Sequence, residues 1–516
     1  MRTSERSQSV WKVDTAPPEY PPLTENTRAD VCIVGAGIAG MTTAYLLAKE
    51  GKQVVVLDDN GVGGGETAQS TAHLASEMDD RYYEIERLHG EDGARLTYLS
   101  HQAAIEKVGE IAHAEGMECG YRTVDAYLFL APEHGPDELD RELEAARRAG
   151  FVDAERVERL PLADWDSGPA LRFPRQGQFD PLAYTAGLAR VVQGLGGRVH
   201  TGSHVDSIEG GSPARVHTNS GATVTADAVV VATNSPINDL VAIHTKQAPY
   251  RTYVIGMTIP AGAVPAALYW DTADPYRYVR LQHGDGEGVE GTDVLLVGGE
   301  DHKTGHADDA EQRFARLEAW TRARFKAVGE VAFRWSGQVI EPVDYLGYIG
   351  RDPEKAENVY IATGDSGQGT TYGTIAGMLL TDLIHGRSNP WEKLYEPTRR
   401  AVGTKSALEF AKENLDVVTK FTEWVQPGDV GSEEEIPLGA GAVVRRGASM
   451  VAVYRDTFGE LHEHSAACTH LGCIVHWNSQ EMSWDCPCHG SRFNPSTGEV
   501  LNGPALTALR TVEESE

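Results

Sequence analysis

The stretch ADVCIVGAGIAGMTTAYLLAKEGKQVVVLDD, residues 29–59, narrows the fold more than any other part of the chain. VCIVGAG reads as a buried strand because its apolar residues run on without polar alternation. IAGMTTAYLLAKEG reads as a helix closed by Gly51, and QVVVLDD as a second buried strand parallel to the first. Gly35, Gly37 and Gly40 spell GxGxxG at the turn, with Ile38 and Ala39 between them, and Asp58 and Asp59 close the second strand. Glycines there let the backbone approach a pyrophosphate seated on the helix N-terminus, and an acid about 20 residues on is placed for ribose hydroxyls. A bare tight turn would need the glycines too; the strand before, the helix after and the acid beyond are what point to a dinucleotide. The same glycines break the apolar run and argue against a membrane span.

The rest of the chain organises around this unit. Residues 1–28 read as an N-terminal arm, 29–390 as the nucleotide-binding domain, 391–426 as a helical linker, and 427–516 as a small unit of short strands and turns. Mainly within 80–350, polar helices such as DELDRELEAARRAG mix with strands such as YRYVRLQ and DVLLVGGED, which suits an inserted, mostly antiparallel substrate domain. TADAVVVATN and ENVYIATGDSGQGTTYGTIAGMLLTDLIHG return to the nucleotide-binding sheet, the latter with a helix ending at Gly386. GGEDH (298–302) reads as a polar turn after a buried strand. GDGEGVEG (284–291) reads as a polar loop with no strand before it, and GAGAVV (439–444) lacks the third glycine. Without a second dinucleotide motif, electrons are expected to enter from an organic substrate rather than from a nicotinamide cofactor.

A length of 516 residues allows roughly two to four domains, and the formal charge of -30 excludes a nucleic-acid partner and disfavours anionic membranes. The first 30 residues hold arginines but no apolar core of a signal peptide, so no membrane span and a cytoplasmic location are expected. Cysteines stand at 32, 119, 468, 473, 486 and 488; four so close together in a reducing compartment suggest a metal site before a disulfide framework.

Those four lie in CTHLGCIVHWNSQEMSWDCPCHGS (468–491), which offers Cys468 with His470 and Cys486 with His489 on two loops. Zinc also accepts two thiolates and two imidazoles, but its usual spacings are absent and Cys473 and Cys488 are left over. The full string resembles the Rieske iron-sulfur domain of the cytochrome-bc type, in which a cysteine pair holds one iron and a histidine pair the other. The resemblance implies a [2Fe-2S] cluster on Cys468, His470, Cys486 and His489. It also implies a Cys473–Cys488 disulfide, a Ser491 hydroxyl on a bridging sulfide, and half-exposed ligand histidines as the electron exit.

GVGGGETAQSTAHLASE (61–77) and ATGDSGQGTTYG (362–373) resemble the amine and amino-acid oxidase superfamily of flavoproteins, typified by D-amino-acid, glycine and sarcosine oxidases. That resemblance implies FAD. Gly35, Gly37 and Gly40 would cradle its pyrophosphate, with Ile38 and Ala39 at the helix start, and Asp58 with Asp59 would meet the ribose. Gly65, Thr67, Ala68, Thr71, Ala72, His73 and Leu74 would line the flavin side, His73 as a non-covalent neighbour. Val205, Ala232 and Thr233 would flank the adenine half, and Gly364, Asp365, Gly367, Gly369, Thr370 and Thr371 the ring. Relatives use a strand arginine for the substrate carboxylate; Arg280 is the counterpart here, with Tyr278 on the same strand face. Trp335, Gln338 and Glu341 would close the pocket.

The expected architecture is an α/β FAD-binding Rossmann-like domain with an inserted α+β substrate domain, followed by a small all-β Rieske domain. The expected function is a dehydrogenase that oxidises a small amine or amino-acid-like substrate at the flavin. Electrons then pass singly to the cluster and on to an external acceptor: a ferredoxin, cytochrome or quinone. One alternative runs electrons from cluster to flavin to reduce or oxygenate a substrate, and another is a non-catalytic carrier or redox sensor. High-potential Rieske domains carry a tyrosine two residues beyond the serine, where this chain has Phe493. A hydrogen bond to a ligand sulfur stabilises the added electron. The cluster's reduction potential is therefore expected below that of respiratory Rieske proteins, and a redox titration matching theirs would refute the assignment.

Overall fold

The computed structural model describes residues 7–12, 18–237, 243–283, 291–354, 356–399 and 419–512. The polar-loop reading of 284–291 and the centre of the 391–426 linker fall largely outside the described residues. Strand Thr27–Val34 lies at the centre of a parallel sheet, paired with Val54–Leu57 on one side and Thr223–Val231 on the other. Arg198–His200 and Val359–Thr363 extend it in parallel, and Tyr348–Arg351 adds an antiparallel edge. Val31, Cys32, Ile33, Val55 and Val56 are fully buried, as a parallel sheet covered on both faces requires.

The glycines of the turn act through close packing. Gly35 has φ +103°, and a Cβ on Gly40 would sit 1.9 Å from the Gly35 carbonyl oxygen, so helix Ile38–Lys49 leaves the strand at a distance only glycine permits. On its other side this helix meets helix Gly369–Ile384, where Cβ atoms on Gly373 and Gly377 would come within 2.6 Å of Ile38 and 2.5 Å of Thr42. Small residues at that crossing bring the N-termini of both helices to one cavity.

The inserted domain is a nine-stranded, mostly antiparallel sheet in which Gln247–Pro260 runs between Thr292–Lys303 and Val331–Pro342. Here the reading of GGEDH as a turn fails. Strand Thr292–Lys303 continues through it, with Arg251 opposite His302 and Tyr250 opposite Lys303. The polar residues mark a β-bulge, with Gly299 at φ 137° and Glu300 at φ 62°, and within it Asp301 faces the cavity. Backbone groups of the neighbouring strand need partners there, which outweighs local polarity.

The C-terminal unit has two antiparallel sheets, Ala440–Arg446 with Ser449–Arg455 and Leu461–Ser465, and the four short strands from His476–Asn478 to Val500–Asn502. Its contact with the inserted domain is charged and buried. Arg251, 1% exposed, donates to Ser336 Oγ at 2.8 Å and lies 3.7 Å from Asp485. Arg492 reaches Asp485 at 3.2 Å and Glu481 at 3.7 Å, and Glu481 accepts from Ser336 at 2.5 Å and from Ser7 of the N-terminal arm at 2.8 Å. Burial raises the Asp485 pKa, but Arg492 and Arg251 together hold it below its usual value. Removing one member of such a group costs about 3–5 kcal/mol because the remaining charge stays buried. Arg251→Met is expected to lower the thermal midpoint accordingly while both domains stay folded; an unchanged midpoint by circular dichroism would show that these charges do not hold the domains together.

Candidate functional site

One large cavity runs from the first βαβ unit to the inserted sheet, and it is built by three parts of the chain. Gly35, Gly37, Ile38 and Ala39 bring in the first helix N-terminus, and Asp58, Asp59 and Val205 line the same end. Asp58 accepts from the Ala36 and Asn60 amides at 2.6 and 2.7 Å, and burial pushes its pKa up to about 7. Thr67 Oγ1 accepts from the Ile38 amide at 3.1 Å and fixes the second loop against the first. Gly65, Thr71, His73, Gly364, Asp365, Gly367, Gly369 and Thr370 continue the wall, with Ala232 and Thr233 opposite. At neither helix that opens on the cavity does the N-cap residue itself cap the helix with its side chain, and apart from Ile38, bonded to Thr67, this leaves first-turn amide N–H groups for an anionic ligand. An extended dinucleotide fits this donor set.

Several residues named from the sequence stand behind the wall rather than in it. Gly40 permits the helix packing described above. Ala68, Ala72 and Leu74 are fully buried in the core, Ala72 at φ 55°, and Thr371 Oγ1 accepts from the Ala75 amide at 3.4 Å. Arg280 requires a correction as a substrate-binding residue. It is 1% exposed and absent from the described cavity lining; its guanidinium donates to the carbonyls of Thr71, Ala72 and Phe179 at 2.9, 2.9 and 3.1 Å and to Gln282 at 2.7 Å. Trp11 of the N-terminal arm covers it, ring centroid 5.2 Å away. Arg280 therefore braces the 71–73 loop from behind. Trp335 likewise does not reach the pocket: fully buried, its indole donates to the Gln69 carbonyl at 2.8 Å. Tyr278, Gln338 and Glu341 do line the cavity.

His73 sits between Trp270 and Tyr278, ring centroids 6.0 and 5.7 Å away, and accepts from or donates to Thr71 at 3.0 Å. Burial, with the Arg280 charge, lowers its pKa to about 3, so it is neutral. The wall of the inserted domain adds Thr252, Tyr276 and Asp301, and the loop before helix Tyr82–Ala114 adds Asp79. Sequence reasoning missed these. Their places depend on sheet register and on a bulge, and GGEDH alone carried a signal, which polarity masked.

The C-terminal unit closes the cavity with Val500, Leu501, Asn502, Gly503, Ala505 and Leu506. His204 donates across this seam to the Leu506 carbonyl at 2.9 Å, while its other nitrogen lies 3.0 Å from Asp59.

The two cysteine-histidine loops meet beside the same seam. Cys473 and Cys488 form a disulfide with Cα atoms 6.5 Å apart. Sulfurs of Cys473, Cys486 and Cys488 lie within 4.8 Å of one another, but two are joined to each other, so Cys486 alone of these keeps a thiol. Cys486 and Cys468 hydrogen-bond thiol to thiol, Ser491 reaches Cys468, and the His470 and His489 rings stand 4.9 Å apart. The Nδ1 of His489 is buried without a hydrogen-bond partner. Two thiols, two imidazoles and a buried unpaired nitrogen are the donor set of a Rieske centre. Phe493 is fully buried behind them. The expectation of half-exposed exit histidines holds for one of the pair: His470 is partly exposed, whereas His489 is only 7% exposed, and both rings pack on His244 of the larger domain at 5.1 and 5.7 Å.

A dinucleotide cavity sealed by a thiol-imidazole domain defines an oxidoreductase with two redox centres. The chain belongs to the FAD dependent oxidoreductase family, which matches residues 30–383, and it carries a Rieske [2Fe-2S] domain over 426–513. It thus binds FAD and a [2Fe-2S] cluster. It is 32% identical over 513 residues to YhfW of Bacillus subtilis (strain 168), a protein named for a Rieske 2Fe-2S centre, covering 99% of this chain and 98% of that one. Gamma-glutamylputrescine oxidoreductase of Escherichia coli (strain K12) is 27% identical over 383 residues, 70% of this chain and 85% of its own. Glycine oxidase from Geobacillus kaustophilus shares the fold, with TM-score 0.60 and 19% identity over 73% of this chain and 100% of that one. Among the described residues no helix is long and apolar enough to cross a membrane.

The seam contact is expected to depend on pH. The Asp59 hydrogen bond raises the His204 pKa to about 9, with Asp206 also 3.9 Å away. Only the imidazolium donates to both Asp59 and Leu506. A pKa raised on folding gives stability that is present below the ordinary imidazole range and lost as pH rises through about 9. FAD release, followed by flavin fluorescence, is expected to increase across that pH in the native protein and to stay flat in His204→Gln. Equal profiles would remove His204 from cofactor retention.

Proposed function

We propose that this chain is a dehydrogenase in which a C–N substrate delivers electrons through FAD and the fused Rieske centre to an external one-electron acceptor. In this reading the FAD module is 29–390 and the Rieske module 427–516. The Gly35–Ala39 turn, Asp58, Thr67 and the Gly364–Thr370 loop hold FAD; Cys468, His470, Cys486 and His489 hold the cluster. When bound, FAD supplies an acceptor for an electron pair from a C–H bond beside nitrogen, and the cluster supplies one-electron exchange.

The observation that carries the reading is the packing of both ligand histidines on the larger domain. His489 is buried against His244, the partly exposed His470 packs on the same ring, and Gln338, in the cavity wall, donates to the Gly490 carbonyl beside His489 at 3.1 Å. A Cβ on Gly490 would come 2.6 Å from Pro249, so that loop rests on the larger domain at glycine distance. Such closeness favours exchange inside the molecule. The helix beginning at Gly369 directs the positive end of its dipole into the cavity, and neutral His73 adds no charge there. Arg280 and Trp11 keep the 71–73 loop in place.

Anaerobic titration of the purified holoprotein with amines and amino acids tests the direction. Flavin absorbance is expected to bleach first, with the reduced-cluster EPR signal growing after it. Reduction of both centres only by a reduced ferredoxin or a quinol would reverse the assigned flow.

A further inference from the structure

The substrate end of the cavity is acidic and aromatic. Asp79 and Asp301 line it together with Trp270, Tyr276 and Tyr278, and no lysine or arginine lines any part of the cavity among the described residues. Tyr276 donates to Asp79 at 2.6 Å, and Thr252, bonded to the Tyr278 hydroxyl at 2.8 Å, also reaches the Asp301 carboxylate. Asp301 Oδ1 remains, shut off from solvent and without a hydrogen-bond partner. Burial pushes the Asp301 pKa up to about 7, helped by the neighbouring Asp79 charge, and it raises that of Asp79 as well, outweighing the opposing charges of Arg313 and Arg81.

The nearest guanidinium groups are occupied elsewhere. Arg81 lies 3.7 Å from Glu77 and donates to the carbonyls of Asp79 and Asp271. Arg277 binds Glu300 at 2.8 Å, and Arg313 binds Asp309 and the Glu300 carbonyl, both at 2.6 Å. Arg280 is turned to the backbone behind the loop, as described above. A substrate carboxylate would therefore enter beside two buried acids with no cation in the cavity wall to pair with it, which is unfavourable. An ammonium group would find charge, hydrogen-bond acceptors and aromatic faces in one place.

We infer that this pocket takes a cationic amine without a carboxylate, an alkyl amine or diamine whose ammonium is held by Asp79 and Asp301 between the rings of Trp270, Tyr276 and Tyr278. The inference rests on the amine-oxidising reading and narrows it.

The test uses the holoprotein and two unreactive probes of opposite charge, butyltrimethylammonium and butanoate, with the flavin difference spectrum as the measure of binding. The cation is expected to bind, and Asp301→Asn to weaken it about ten-fold or more; butanoate is expected to leave the spectrum unchanged. Should Asp301→Asn lose its flavin, Asp79→Asn carries the same expectation. Butanoate binding tighter than the cation, or cation binding unaffected in the flavin-retaining variant, would overturn the inference. Reduction by butane-1,4-diamine and by 4-aminobutanoate then separates the two readings. Preference for the diamine supports both, and preference for 4-aminobutanoate refutes the cationic pocket but leaves amine oxidation standing. If neither these compounds nor glycine bleaches the flavin, amine oxidation falls, and the cationic pocket with it.

Discussion

The buried charge group at the domain contact is the constraint on which the site depends. Arg251 comes from the inserted domain, Asp485, Arg492 and Glu481 from the Rieske domain, and Ser7 from the N-terminal arm. Two guanidinium groups face two carboxylates, and hydroxyls from Ser336 and Ser7 complete the shell of Glu481. Apolar contact tolerates sliding, because its free energy follows area and not direction. Hydrogen-bonded charges out of water do not, since every displaced partner leaves a charge unpaired. One register of the two domains is favoured over its neighbours, and that register sets His470 and His489 against His244.

Legibility in the sequence followed distance along the chain. The GxGxxG turn and its acid lie within one βαβ unit, so spacing alone placed them on one end of the cavity. The Cys468, His470, Cys486 and His489 set was similarly readable, because each loop contributes its pair within four residues. Arg280 was misread for the opposite reason. Its strand and face were inferred from a period of two, but its partners are carbonyls about the 71–73 loop and at Phe179, which no local pattern reveals. GGEDH was misread because composition suggests a turn, whereas the neighbouring strand needed its backbone groups paired and a bulge reconciled the two. Residues 500–506 had no signal as cofactor neighbours, since they reach the cavity only after the domains dock.

The N-terminal arm shows how distant parts of the chain act on one loop. Trp11 covers the Arg280 guanidinium and donates to the Ser70 carbonyl at 2.7 Å, so arm and arginine hold loop 70–73 from two sides. Ser7, four residues earlier, reaches Glu481 in the interdomain charge group. Loop, inserted sheet and Rieske domain are thus tied through a few buried polar contacts, and a shift in any of them moves the wall of the same cavity.

That connection bears on how a Rieske domain can work here. A carrier domain that swings between donor and acceptor must leave its donor site intact when it departs. In this molecule Val500–Leu506 form part of the cavity wall, His204 is bonded to Leu506, and Asn502 lies 3.4 Å from Glu66 beneath the flavin loop. Departure of the domain would open the cofactor cavity to water and expose the Arg251 and Glu66 charges together. The geometry therefore favours a docked arrangement over a swinging carrier, because the Rieske domain is itself part of the cofactor cavity's wall.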